Sequence, residues 1–198
     1  MARPRTFDEG IALDTAMRLF WRKGYEATST RDLCETLGLD RSSVYNAFNS
    51  KHELFKRALT HYIETTTAAA TEILDDHTRS PADRIRALFG RIIADEWANR
   101  HEDRNQGCLT VNTTVELAGR DPEIAALLDR DLRHRLSALQ VVIGAGRAAG
   151  DITSRRDPAD LARYVNSVIA GIRVAARGGA GRADLEAVAE TAMDALTR

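Results

Sequence analysis

The chain has 198 residues, 43% of them hydrophobic and 29% charged, with 28 Lys+Arg against 29 Asp+Glu for a formal net charge of -1. Such a composition reads as a globular protein long enough to bury a core without disulfides or metal, and its near-zero charge excludes no class of partner. Two cysteines, Cys34 and Cys108, exclude a disulfide framework and fit free thiols in a reducing compartment.

Charge is unevenly spread. Residues 1–60 carry ten Lys/Arg and eight Asp/Glu, so the N-terminal third is mildly basic and the remainder mildly acidic. The N-terminus meets charge early, at Arg3, Arg5, Asp8 and Glu9, with no continuous apolar stretch, which argues against a secretory signal. No window approaches the roughly 18 apolar residues of a membrane span. A cytoplasmic location is expected, with no membrane partner.

Helical periodicity dominates from the start. Leu13, Ala16, Met17 and Phe20 share one face, and Gly24 offers a left-handed stop, which predicts a helix from about Phe7 to Lys23. Thr28-Ser29-Thr30 supplies N-cap hydroxyls for a short helix through Leu33 and Leu37 that ends at Gly38. Asp40 caps a further helix from Arg41, with Val44 and Phe48 on its inner face. Ser50-Lys51-His52-Glu53 matches a capping box ahead of a long helix running to about Asp76.

The second part repeats the pattern. Ser80-Pro81, Asp121-Pro122 and Asp157-Pro158 each open a helix, with proline where its missing N–H costs nothing. Gly150 ends the second of these and Gly178-Gly179 the third, and a last helix carries Leu185, Val188, Ala189, Ala192, Met193 and Leu196. Between Asn105 and Ala118 the β-branched Val111 and Val115 have no second strand to pair with, so a short helix is expected. The fold class is all-α: about nine helices, split into an N-terminal three-helix domain over residues 1–50 and a C-terminal helical domain over residues 51–198.

The short helices flanking Gly38 form a helix-turn-helix. On the second of them Arg41, Ser42, Ser43 and Asn46 offer hydrogen-bonding groups suited to base edges or phosphates, and Tyr45 offers a hydroxyl. Thr28, Thr30 and Lys51 lie at neighbouring helix N-termini, where hydroxyls, free N–H groups and a cation hold phosphates. The surrounding string is specific: Arg-Pro-Arg-Thr-Phe-Asp at 3–8, Ala16 to Phe20, Gly24-Tyr25-Glu26-Ala27-Thr28-Ser29, Leu33, Leu37-Gly38, Tyr45, Phe48, Ser50-Lys51 and Leu54-Phe55. It closely resembles the DNA-binding domain of TetR/AcrR-family transcriptional regulators. The resemblance implies a three-helix head on the start of a long fourth helix. It also implies a dimeric regulator of double-stranded DNA, usually a repressor, that lets go of its operator when a small molecule occupies the C-terminal domain. Leu39-Asp40 and Asn49 depart from the commonest pattern, and an acidic Asp40 would repel a nearby phosphate. Arg3 and Arg5 read either as a minor-groove arm or as a plain basic tail.

In the second domain the segments 157–177 and 182–198 are rich in small residues (Ala170, Gly171, Ala175, Ala176, Ala187, Ala189, Ala192 and Ala195) that let helix backbones approach closely. Two such helices from each of two subunits would form a four-helix interface, the place the resemblance implies for a homodimer. The segment from Gly107 to Leu117 resembles one branch of the family without naming a ligand. Candidate pocket residues are Trp97, Cys108, Asn112, Thr113, Glu116, Phe89 and Tyr164, with Ile93 and Val168. Phe89, Ile93 and Val168 also fit core stripes. Cys108, near a helix N-terminus and Arg104, has the setting of a thiol with lowered pKa; the other reading is an inert buried cysteine. Cys34 reads as structural.

No catalytic, phosphate-loop or zinc-protease motif occurs, so no enzyme activity, cofactor or metal is implied. His52, His61, His77, His101 and His134 lack metal-ligand spacing, and Asp75-Asp76-His77 reads as a solvated helix end. The function expected is a ligand-responsive repressor acting as a homodimer on an inverted-repeat operator. The alternatives are a thiol-based sensor acting through Cys108 and a helical ligand-binding protein without DNA binding.

Overall fold

The computed structural model describes residues 8–98, 100 and 106–198. The proposed arm of Arg3 and Arg5, and Arg104 beside Cys108, lie outside the described residues. Within them nine helices follow in chain order: α1 (Glu9–Lys23), α2 (Thr30–Leu37), α3 (Arg41–Phe48), α4 (Lys51–Leu74), α5 (Pro81–Ala98), α6 (Leu109–Leu117), α7 (Pro122–Ala149), α8 (Pro158–Arg177) and α9 (Arg182–Thr197). None of these helices is long and apolar enough to cross a membrane.

Short polar side chains fix the helix starts. Asp8, Ser29, Asp40, Ser50, Asp121 and Asp157 each accept N–H groups that the first turn leaves unpaired. The box expected at Ser50 is half formed. Ser50 Oγ accepts the Glu53 N–H at 3.0 Å, but the Glu53 carboxylate goes to Lys56 instead. The reciprocal box is found at Ser29 and Asp32. Gly38 ends α2 at φ 64°, a left-handed conformation that costs glycine nothing and sets the tight turn into α3.

The apolar faces build two clusters. One gathers Ala16, Phe20, Leu33, Val44, Phe48, Leu54, Phe55 and Leu59 from α1 to α4. It also takes in Cys108, Leu109, Leu117, Ile124 and Leu128 from α6 and α7. The other joins α5 and α7–α9 around Ile85, Phe89, Ile143, Val165, Ile172, Leu185 and Met193. The first half of α4 is thus packed into the head, while its far end, at Leu74, belongs to the second cluster. At 1.5 Å per residue α4 spans about 36 Å and ties the two together.

Polar contacts lock the head to the body. Trp21 Nε1 donates to the Gly107 carbonyl at 3.0 Å. The Glu116 carboxylate accepts the Tyr25 N–H at 3.1 Å and the Glu26 N–H at 2.8 Å. Gly24 is required beneath it: its φ is 84°, and a Cβ there would sit 3.2 Å from both Glu116 carboxylate oxygens. On the other flank His52 Nε2 meets Asp121 at 2.7 Å, and Lys56 bridges Glu53 at 2.8 Å and Glu123 at 2.5 Å.

Candidate functional site: recognition helix and buried cavity

Helix α3 buries Val44 and Phe48 and leaves Arg41, Ser42 and Asn46 exposed, with Ser43 and Tyr45 half-buried. Position 41 to 46 spans little more than one turn, so these side chains form one N-terminal patch. The Arg41 guanidinium lies 5.5 Å from the Tyr45 ring centroid. Hydrogen bonds from Arg41 and Thr30 hold the Tyr45 phenol below its ordinary range. Asp40 accepts the Ser42 hydroxyl at 2.6 Å and the Ser43 N–H at 2.7 Å, and these bonds hold its carboxyl below the usual range. Ser42 therefore points its proton at the cap, leaving its oxygen as an acceptor.

Thr30 opens α2 beside this patch, half-buried. Lys51 opens α4, with its ammonium 4.2 Å from the Tyr25 ring centroid. Thr28 requires a correction as a DNA-contact residue. It is fully buried, and its hydroxyl donates to the Gly24 carbonyl at 2.6 Å. It closes the turn between α1 and α2, and Ser29 next to it is the exposed cap.

In the second domain the candidates part company. A cavity of about 210 Å³ opens between α4, α5, α7 and α8, with Cys108 and the first residues of α6 at one end. A second space, of about 520 Å³, lies between head and body and is lined by Cys108, Asn112, Thr113 and Glu116. Glu116 is committed to Tyr25 and Glu26, and Asn112 is held by Arg177 and by the Gln106 carbonyl. Five expected pocket residues, Trp97, Phe89, Ile93, Tyr164 and Val168, line none of the described cavities. Phe89 and Ile93 are core, because their face of α5 packs on α9 and α8. The indole of Trp97 carries the Arg100 guanidinium at 4.9 Å, and Tyr164 is 38% exposed on the outside of α8. Val168 packs at the edge of the core. Cys34 is half-buried against the head core.

Cys108 is buried at the N-cap of α6 and lines both spaces. Its sulfur lies 2.9 Å from the Thr110 hydroxyl and accepts from the Tyr62 hydroxyl at 3.5 Å. Burial pushes the thiol up, but the charge of Arg173 and the hydrogen bonds from Thr110 and Tyr62 outweigh it and hold the thiol below its ordinary range. Burial, then Cys108, pushes the Tyr62 phenol up, so it stays a donor. Arg173 also faces Glu96, whose carboxyl burial pushes up.

Sequence reasoning missed Arg173, Tyr62 and the Thr65-Thr66-Thr67 and Thr71 stretch of α4, all of which line cavities. The available signal was an arginine one turn beyond Ile169 on an otherwise apolar face, and a threonine run in the middle of a long helix. His52, Glu53 and Glu123 also place ligand atoms within 4.8 Å of one another, but the Lys56 ammonium already joins the two carboxylates. The His77 ring faces the Arg84 guanidinium at 3.0 Å.

Comparison with known proteins places both parts. Residues 12–58 match the family described as bacterial regulatory proteins, tetR family, and residues 81–194 match the tetracyclin repressor-like C-terminal domain. The chain is 32% identical over 191 residues to the HTH-type transcriptional repressor ComR of Escherichia coli (strain K12), covering 96% of this chain and 90% of that protein. It is 28% identical to the HTH-type transcriptional repressor BdcR of the same organism, covering 98% and 91%. Among solved structures, a cysteine mutant of the regulator CifR in complex with 26 bp of double-strand operator DNA superposes with a TM-score of 0.84 at 30% identity. That match covers 98% of this chain and 99% of the other.

Proposed function

The chain belongs to the TetR family of bacterial regulatory proteins, and from that premise we propose that it is a transcriptional repressor binding an inverted-repeat operator as a homodimer and released by a small molecule. The observation that carries this reading is the N-terminal patch of α3: exposed Arg41, Ser42 and Asn46 on a helix whose inner face is locked into the head. The roles proposed are base-edge contacts from Arg41, Ser42, Ser43 and Asn46 and phosphate contacts from Thr30, Tyr45 and Lys51. In this reading residues 1–50 carry the operator contacts and residues 51–198 the effector and dimer functions. A DNA-binding regulator of this kind works in the cytoplasm.

The outer faces of the last two helices support dimerisation. On α8, Tyr164, Ser167, Gly171 and Val174 are exposed at helical spacing, with Val174 57% accessible. On α9, Val188, Thr191 and Ala195 are exposed in the same way. Small and apolar residues on adjoining faces fit a close-packed helical interface between two copies. Filling the cavity behind α8 would alter the spacing of the two heads, and both half-sites must be met at once.

Selection of bound sites from random duplex DNA tests the reading. Enrichment of an inverted repeat, its half-sites about 34–36 Å or a multiple apart, is the expected result. No enrichment from folded, effector-free protein would leave a helical ligand-binding protein. A second reading, in which Cys108 chemistry is the signal, is favoured by the Arg173 charge beside the thiol. Loss of peroxide or electrophile response in Cys108→Ser would support it, and an unchanged response would sink it.

A further inference from the structure

Arg173 stands where three spaces meet. It lines the cavity between α4, α5, α7 and α8, the space between head and body, and a third groove beside Trp21, Tyr62 and Glu96. Its Nη1 reaches the Tyr62 hydroxyl at 3.5 Å, while its Nε is sealed from solvent and has no hydrogen-bond partner. Among the described residues the other buried side-chain atom left so is Asp151 Oδ1, which lies outside these spaces. Buried donors in native proteins are almost always met, so an unmet one shows a guanidinium short of acceptors.

The rest of the cavity wall sharpens the chemistry. Its other guanidinium groups are already paired, Arg91 with Asp95 at 2.8 Å, and Arg135 with Asp131 at 2.9 Å and Asn166 at 2.6 Å. The Thr65 and Thr66 hydroxyls donate to the His61 and Tyr62 carbonyls of their own helix, and Thr67 donates to Asp131. Those oxygens offer lone pairs, not protons. Arg173 is thus the guanidinium of the site without a carboxylate partner, with the exposed His134 and the Asn166 amide at the α7–α8 side and apolar wall from Ile73, Leu88, Leu139 and Ile169. A polyanion would add several charges against Asp131, Asp95 and the Cys108 sulfur, whereas a single carboxylate brings one charge to the one guanidinium without a carboxylate partner and an apolar body to the apolar wall. Size narrows the choice further. The 210 Å³ available exceeds the roughly 150 Å³ that holds a benzene ring and falls below the roughly 300–1,000 Å³ of drug-sized sites.

We propose that this cavity binds a small monocarboxylic acid of about benzoate size, with its carboxylate on the Arg173 guanidinium and its body against the α4, α5 and α7 walls. The proposal rests on the reading of the chain as a ligand-released repressor.

Calorimetric titration of the full-length protein with benzoate, its neutral counterpart benzamide, and inorganic phosphate tests the site. Operator binding is followed in parallel by fluorescence anisotropy. Benzoate should bind at least tenfold more tightly than benzamide, and phosphate should not compete with it. Arg173→Gln should weaken benzoate at least tenfold. Should that variant fail to fold, Ala138→Leu fills the cavity from α7 without altering charge and should abolish benzoate binding. Equal binding of benzoate and benzamide, no heat at millimolar benzoate, or competition by phosphate would overturn the proposal. A protein that binds operator yet ignores benzoate sinks the site alone. One that binds benzoate yet never binds operator supports the site and sinks the repressor reading.

Discussion

Glu116 and Tyr25 are 91 positions apart in the chain, yet the carboxylate of one holds the backbone N–H of the other at 3.1 Å and that of the neighbouring Glu26 at 2.8 Å. The body therefore caps the turn that leads from α1 into α2. Because α6 starts beside the cavity, with Cys108 at its N-cap, and carries Glu116 in its last turn, this nine-residue helix connects the cavity edge to the head.

Glu116→Ala should lower stability by about 1–2 kcal/mol, since hydrogen bonds to a charged, partly exposed acceptor are worth that much. Exchange of the Tyr25 and Glu26 amides with deuterium should speed up selectively. Unchanged protection at both amides would show that the latch holds nothing.

The recognition patch makes a graded prediction. Arg41→Ala and Asn46→Ala should each cost about 1–3 kcal/mol of operator affinity without changing the melting temperature. Ser42→Ala should cost less, because its proton is already given to Asp40. Thr28→Val should act the other way, lowering the melting temperature by breaking the bond to Gly24. Anisotropy titrations paired with thermal melts separate the two classes.

Asp40 combines a cap with a charge close to where phosphate would lie. Asn caps a helix as well as Asp does, so Asp40→Asn should keep the fold and bind operator several-fold more tightly at low salt. The pH dependence has a definite sign. The Asp40 carboxyl is held low by Ser42 and Ser43, so its contribution is present above the ordinary carboxylate pKa and is lost as pH falls through the lower folded value. Melting curves between pH 5 and the acid limit should show a smaller acid loss in Asp40→Asn than in the parent.

The thiol prediction follows from the same bookkeeping. With Cys108 held low, the rate of alkylation should reach its half-maximum at a lower pH than for the same thiol in the unfolded chain. Arg173→Gln should move that midpoint upward. A depressed acid stabilises the fold above its unfolded pKa and loses that contribution as pH falls through the folded one. An unshifted midpoint in the variant would remove Arg173 as the cause.

For the dimer, Val188→Glu combined with Val174→Glu should give a monomer by sedimentation equilibrium. Specific operator affinity should collapse with it, since one head meets one half-site. A dimer that survives both charges would place the interface elsewhere.

The frame was legible because its signals are local. Asp121-Pro122 and Asp157-Pro158 each mark a helix start within a single turn, and both open helices here. The short helix through Val111 and Val115 followed from the want of a partner strand, and α6 is that helix, with Val115 86% exposed. The sites were less legible because they are set by distant pairs. Three hydroxyls in a row at 28–30 look alike in sequence, and only the turn from Gly24 decides that Thr28 faces inward and Ser29 caps. Glu116 reads as a polar pocket residue until α1 is packed beside it. Arg173 falls on the Ile169 face of α8 with nothing local to say what it meets, and its importance appears only when Tyr62, Glu96 and Cys108 converge on it from three other segments.

The head's apolar cluster is completed by Cys108, Leu109, Leu117, Ile124 and Leu128 from a stretch more than forty residues beyond α4's buried half. An excised head comprising α1–α3 and the start of α4 would leave Phe20, Phe55 and Tyr62 facing water where those side chains now pack. Swapping such heads between relatives is therefore a transplant of an interface, and a chimera that carries over the first helices without a matched α6 should come out of the ribosome as a sticky, protease-sensitive chain.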